Sequence, residues 1–185
     1  MPVWGWILVA LAVIAAVLVV WWFARRRRTK GLRSTFGPEY DRTVEESDSR
    51  RRAESELTER RNRRAQLDIQ PLTPAAQARY QGSWRGIQLL FVDEPAGALS
   101  DADRVVTQVM SERGYPMDDF DQRFADLSVD HPGVVHNYRA AHAISMANDQ
   151  GAASTEDLRQ AMVHFRALLE ELLEPAAPSQ VREVR

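Results

Sequence analysis

VWGWILVALAVIAAVLVVWWF, residues 3–23, is an uncharged apolar run, followed by Ala24 and the cluster Arg25-Arg26-Arg27-Arg28. An α-helix rises about 1.5 Å per residue, so the run covers about 30 Å, the depth of a bilayer's hydrocarbon core. Lipid offers no partner to a free backbone N–H or C=O, so a continuous helix is the form expected of it. Trp4 and Trp6 sit at one end and Trp21 and Trp22 at the other, where amphipathic rings favour the headgroup layer. The sequence therefore predicts a single transmembrane anchor over residues 1–24.

A secretory signal carries its positive charge before the apolar stretch and a small-residue cleavage site after it. Here the arginines come after, and Trp-Trp-Phe ends the run. The positive-inside bias then places the N-terminus outside and everything from Arg25 onward in the cytoplasm, at a cell's inner (plasma) membrane. Arg25, Arg26, Arg27, Arg28, Lys30 and Arg33 form a lipid-facing basic patch. Near the surface each such charge attracts anionic headgroups by about 1 kcal/mol. A topology signal alone needs the same flank.

None of the 185 residues is cysteine, which excludes disulfides, thiolate nucleophiles and cysteine-bound zinc. The formal charge of −2 conceals an asymmetry. Residues 25–69 hold 14 basic and 9 acidic side chains, whereas residues 70–185 hold 10 basic and 17 acidic. The chain is basic beside the apolar run and acidic away from it, so anionic lipid would attract the first part and repel the second.

Residues 25–72 read as a connector. Gly37-Pro38 opens a helix, with Phe36, Tyr40 and Val44 four apart on one face. Beyond Val44 the apolar stripe thins and acid-before-base pairs at i,i+4 take over: Glu46 with Arg50, Asp48 with Arg52, Glu56 with Arg60, Glu59 with Arg63. Such a polar helix reads as a solvated stalk, about 45 Å long if continuous from Pro38 to Leu67. Arg60, Arg61, Arg63 and Arg64 lack the aromatic neighbours of a nucleic-acid surface and are interleaved with acids, so no nucleic-acid partner is expected. The segment QPLTP, residues 70–74, breaks the pattern and sets a domain boundary, with Thr73 placed to cap the helix after it.

Residues 73–175 carry helical periodicity only. Tyr80, Trp84, Ile87 and Phe91 share one face of a first helix, in which Gly82 and Gly86 mark either a close crossing or a locally weak stretch. Leu99, Ala102, Val105 or Val106, and Val109 or Met110 form the stripe of a second, which Gly114 ends. A short segment, Met117–Leu127, presents Phe120, Phe124 and Leu127. Its aspartates do not have the spacing of a calcium loop and read as a solvated face. A fourth helix over 132–148 aligns Val135, Tyr138, His142 and Met146. His131, His136 and His142 lie about 140° and 120° apart around such a helix, so one ion cannot be reached by all three. The last helix begins at a Ser154–Asp157 capping box, runs through Leu158, Met162, Phe165, Leu169 and Leu172, and stops at Pro175, with His164 off its stripe in solvent. Residues 176–185 read as a disordered tail. The expected fold class is all-α: a transmembrane helix, a charged helical stalk, and an irregular four-to-five-helix bundle.

The blocks FGPEYDRTV (36–44), FVDEP (91–95), RGYP (113–116), SVDHP (128–132) and STEDLRQAM (154–162) resemble those of an uncharacterised bacterial family. That family is common in actinobacteria and other high-GC bacteria, and its members often carry an N-terminal membrane segment. The resemblance spans residues 36–173 and implies the same domain limits. It implies no catalytic residue.

These observations lead to a membrane-anchored cytoplasmic helical interaction or scaffold module. Its partners are lipid, through residues 3–23 and the basic flank, and a protein. An envelope or stress factor binding anionic headgroups through Arg25–Arg33 is the alternative. Ranked below both is an enzyme using Asp130, His131, His136 or Tyr138 as acid–base groups. No motif assigns a catalytic, cofactor-binding or metal-binding residue.

Overall fold

The computed structural model describes residues 3–174, with the side chains of residues 3, 5–10, 24 and 25 outside that description. Among the described residues every regular element is a helix: α1 Val3–Phe36, α2 Pro38–Glu46, α3 Arg50–Arg64, α4 Pro74–Asp93, α5 Pro95–Arg113, α6 Phe120–Asp130, α7 Val135–Asp149 and α8 Thr155–Leu173. The chain is all-α, and it divides into two compact units, Met1–Thr58 and Glu59–Arg185. Among the described residues no helix is long and apolar enough to cross a membrane. Within the apolar run, Trp4 and the continuous stretch 11–23 are the side chains so described.

In the first unit α1 does not end with the apolar run. It continues through the arginines to Phe36, and Gly37, at φ 48°, turns the chain into α2. A left-handed φ of this kind suits a residue without a Cβ. The helix expected to run unbroken from Pro38 to Leu67 is interrupted, because Ser47 is extended at φ −96° and ψ 144° and α3 starts only at Arg50. The segment read as a solvated stalk instead folds back. Leu32, Phe36, Tyr40, Ala53 and Leu57 are all removed from water, forming a small core of their own. Charge pairing differs accordingly. Asp48 does meet Arg52, but Arg42 takes Glu46 at 2.7 Å and Arg50 reaches forward to Glu54 at 3.3 Å.

The second unit is a five-helix bundle built on α5, which packs against α4, α7 and α8, while α6 and α8 pack on α7. Thr73 caps α4 through the amide of Ala76, and Asp119 caps α6 through Gln122. The Ser154–Asp157 box is complete. The expected stripe of α8 is buried along its length, Phe165 at 0%. A Cβ added at Gly82 or Gly86 would meet nothing within 4 Å, which excludes the close crossing and leaves the weakened helix. Two side chains depart from expectation. Met146 is 47% exposed because Ala141 and Tyr138, not the His142–Met146 edge, turn inward on α7. His164 is half-buried, with Nδ1 at 2.9 Å from Asn137 Oδ1 on α7. The tail expected after Pro175 lies outside the described residues.

Residues 68–72 belong with this bundle, although the expected boundary fell at residue 72. The amide of Gln70 donates to the Arg113 carbonyl at 2.8 Å, Ile69 packs on the core, and Leu72 joins it. Gly114 makes the approach possible: at φ 98°, its absent Cβ would stand 2.6 Å from the Asp68 carbonyl oxygen. Any side chain there collides with backbone.

Phe165→Asp should lower stability by about 3–5 kcal/mol, combining a cavity with a buried, unpaired carboxylate. Val163→Asp, two residues earlier at 48% exposure, should cost less than about 1 kcal/mol. Thermal melts of the two full-length variants check this, and equal shifts would misplace the buried face.

Candidate functional site

The basic patch expected at the end of the apolar run contains paired and unpaired members among the described residues. Arg28 Nη2 donates to Thr58 Oγ1 on α3 at 3.0 Å. Arg33 Nη2 donates to Asp41 Oδ1 on α2 at 2.7 Å, and its guanidinium lies 5.2 Å from the Tyr40 ring centroid. These two cations hold α2 and α3 against α1. Arg26 lies over the Trp22 ring at 4.2 Å, and Trp22 packs edge-on to Phe23. Arg27 and Lys30 are exposed, and no described residue pairs with them. The side chain of Arg25 is outside the described ones.

The clamp turns on Glu54, which lies within the segment expected to be a solvated stalk. Its Oε1 accepts from Thr29 Oγ1 at 2.8 Å, from the Tyr40 hydroxyl at 2.9 Å, and from Arg50 Nε at 3.3 Å. Burial pushes the Glu54 carboxyl up, but these three donors outweigh it and hold the group below the ordinary glutamate range. Tyr40 moves the other way, raised chiefly by burial. Thr29 and Glu54 meet, and one turn further along α3 Thr58 meets Arg28, so the chain returns along α1 toward the apolar run. The overlooked signal was Tyr40, a large polar-tipped ring whose hydroxyl needs a partner when buried.

Of the residues weighed as acid–base groups, Asp130 and His131 are held by hydrogen bonds at the end of α6, while His136 and Tyr138 lie apart from them. The Tyr115 hydroxyl donates to Asp130 Oδ2 at 2.6 Å, and Arg64 Nε donates to the same oxygen. Arg113, 3% exposed, donates to the Leu172 carbonyl at 2.9 Å and stands 3.5 Å from His131 Nε2, while His131 Nδ1 lies 3.1 Å from Glu171. Tyr115 is raised, first by burial and then by the Asp130 charge. His131 thus caps α6 in the interior, His136 is exposed on α7, and Tyr138 is buried, accepting from Arg123 Nε at 3.1 Å. His142 stacks on Phe120 at 3.8 Å, and burial holds it below the ordinary histidine range. The three histidines do not converge. Among the described residues no group of three or more His, Asp or Glu could hold a metal ion.

Asp126 is the most costly member of this interior. It is fully buried, with Oδ1 at 3.2 Å from Gln122 Nε2 and 3.5 Å from Arg63 Nε, while Oδ2 has no partner. Arg63 was expected to pair with Glu59 along its own helix; the Asp126 contact is what the structure records.

On the outside, α4 and α8 both pack on α5 and leave a groove of about 710 Å³ between them. Trp84, Leu169 and Leu173 form its floor, and Gln81, Arg85 and Glu170 stand on its rim. The Trp84 indole N–H is buried without an acceptor. Sequence reading placed Trp84 in the core and did not mark the groove. Gln77, Gln81 and Gln88, which continue along one side of α4 beside it, were the available signal.

Burial holds the Asp126 carboxyl above the ordinary aspartate value of 3.8, against the pull of Gln122, Arg63 and Arg64 and with a further push from Asp130. Between 3.8 and the raised value the native state keeps a proton that the unfolded chain has lost, so this group's contribution falls as pH rises through that window. Asp126→Asn should therefore leave stability at neutral pH unchanged or higher and flatten that part of the profile. Asp130→Asn, which removes the charge that Arg64 meets, should be destabilising at neutral pH. Denaturant melts across pH check both. A large loss in Asp126→Asn at neutral pH would mean an ionised, well-paired carboxylate instead.

No family model, no curated protein and no solved structure matches the chain.

Proposed function

We propose that the protein is a single-pass membrane-anchored helical interaction module, with the N-terminus outside and the bundle in the cytoplasm. One observation carries the anchor. Every side chain from Leu11 to Phe23 on α1 is exposed among the described residues, Val20 at 68%. In water each large apolar side chain left uncovered forgoes roughly 1.5–3 kcal/mol. Lipid removes that penalty, and Val3–Ala10 of the same helix would supply the remaining length of a span. The helix passes without a break into the basic stem, so its backbone stays satisfied across the interface.

The interaction role is supported by where the bundle keeps its polar groups. Arg113 and His131 are buried beside one another and bonded to helix ends, and Asp126 is buried against Gln122 and Arg63. The outer surface offers the α4–α8 groove, with an apolar floor and a polar rim, the anatomy common at protein interfaces. The resemblance to the bacterial family with N-terminal membrane segments is carried forward as part of the same proposal.

The full-length protein should remain in the membrane pellet through alkaline carbonate washing, and a reporter fused after Arg185 should behave as cytoplasmic. Ile14→Arg should release the protein from the pellet, since a charge at mid-span costs about 2.5–3.5 kcal/mol. Wild-type protein freed by carbonate would overturn the anchor, and a reporter active only outside the cell would overturn the orientation.

A further inference from the structure

The geometry points to a single outward face of α1, made by Arg26, Arg27 and Lys30, that seats the phosphates of anionic lipid headgroups. Arg28 and Arg33 serve the protein instead. This rests on the anchor reading above. Successive residues turn about 100° around a helix, so Arg26, Lys30 and Arg27 span about 100° of arc. On the same wheel Lys30 stands about 160° from Leu32, the side that the α2–α3 fold-back buries. The clamp through Glu54 and Thr29 fixes which way α1 faces, and so holds these three cations away from the rest of the unit.

Depth agrees with direction. At about 1.5 Å per residue, Arg26 lies about 4.5 Å beyond Phe23 and Lys30 about 10 Å. The headgroup layer extends roughly 5–8 Å beyond the hydrocarbon, and a lysine's flexible stem can reach back into it. Arg33, about 15 Å beyond, is past that layer and is already paired with Asp41. Arg26 is held over Trp22, an aromatic at the interface end of the apolar run, so its charge sits at the boundary where phosphates are found.

The six basic residues, which look equivalent in sequence, are therefore separable by experiment. The full-length protein is reconstituted into vesicles of phosphatidylglycerol and phosphatidylcholine in equal parts and then extracted into mild detergent. Co-purifying lipid is quantified by mass spectrometry. Wild type should retain phosphatidylglycerol preferentially. Arg26→Gln/Arg27→Gln/Lys30→Gln should lower that preference by about fivefold or more. Arg28→Gln/Arg33→Gln, matched in helix content by circular dichroism, should leave it nearly unchanged while lowering the melting temperature. The inference is overturned if wild type retains both lipids equally, or if the double variant loses as much preference as the triple. Carbonate washing of the same vesicles separates the two levels: protein that stays but shows no lipid preference sinks this inference alone, whereas protein that washes off sinks the anchor with it.

Discussion

The row Ala98, Leu99, Ala102, Val106, Val109 and Met110 on α5 is wholly removed from water, and the bundle is arranged to keep it so. Three helices pack on α5, each presenting its own apolar stripe. At roughly 1.5–3 kcal/mol for each large side chain, that burial is a major favourable contribution to the unit. Tyr80, Phe165 and Leu169 are buried in the same core.

What α5 demands at its C-terminus shapes the polar interior. Arg113 closes the helix with its side chain inside the protein, a position that is tolerable only with firm partners. The Leu172 carbonyl provides one at 2.9 Å, with His131 Nε2 at 3.5 Å and the Arg113 Nε left without a partner, and this ties the end of α5 to the ends of α6 and α8. Gly114 then lets the 68–70 backbone close over the same corner. The buried Asp126 is also unfavourable: its unpartnered oxygen costs stability, and less when the group holds a proton than when it is charged.

The first unit follows a different economy. Its buried apolar residues are few, and a carboxylate sits among them. Glu54 can do so because Thr29, Tyr40 and Arg50 all donate to it, and charge-assisted bonds of that kind are the stronger ones. The consequence is directional. A helix docked at Thr29, Leu32 and Phe36 cannot turn about its axis, so Arg28 is held toward Thr58 while Arg27 and Lys30 stay on the exposed side.

Much of this was open to reading from the residues alone. The α-helical class, the positions of α4, α5 and α8, the Gly114 stop and the Ser154 box all follow from local rules: periodicity, capping and glycine's tolerance of positive φ. Local rules act between residues within a turn of one another, which a sequence displays directly. The fold-back of α3, the role of Glu54, the burial of Asp126 and the division of the basic patch depend on pairs such as Thr29–Glu54, Arg28–Thr58 and Arg64–Asp130, far apart along the chain. An arginine four residues from a glutamate can satisfy it locally or leave it for a distant partner. Sequence spacing makes both available, and only the packed structure, by burying one and leaving the other in water, decided between them.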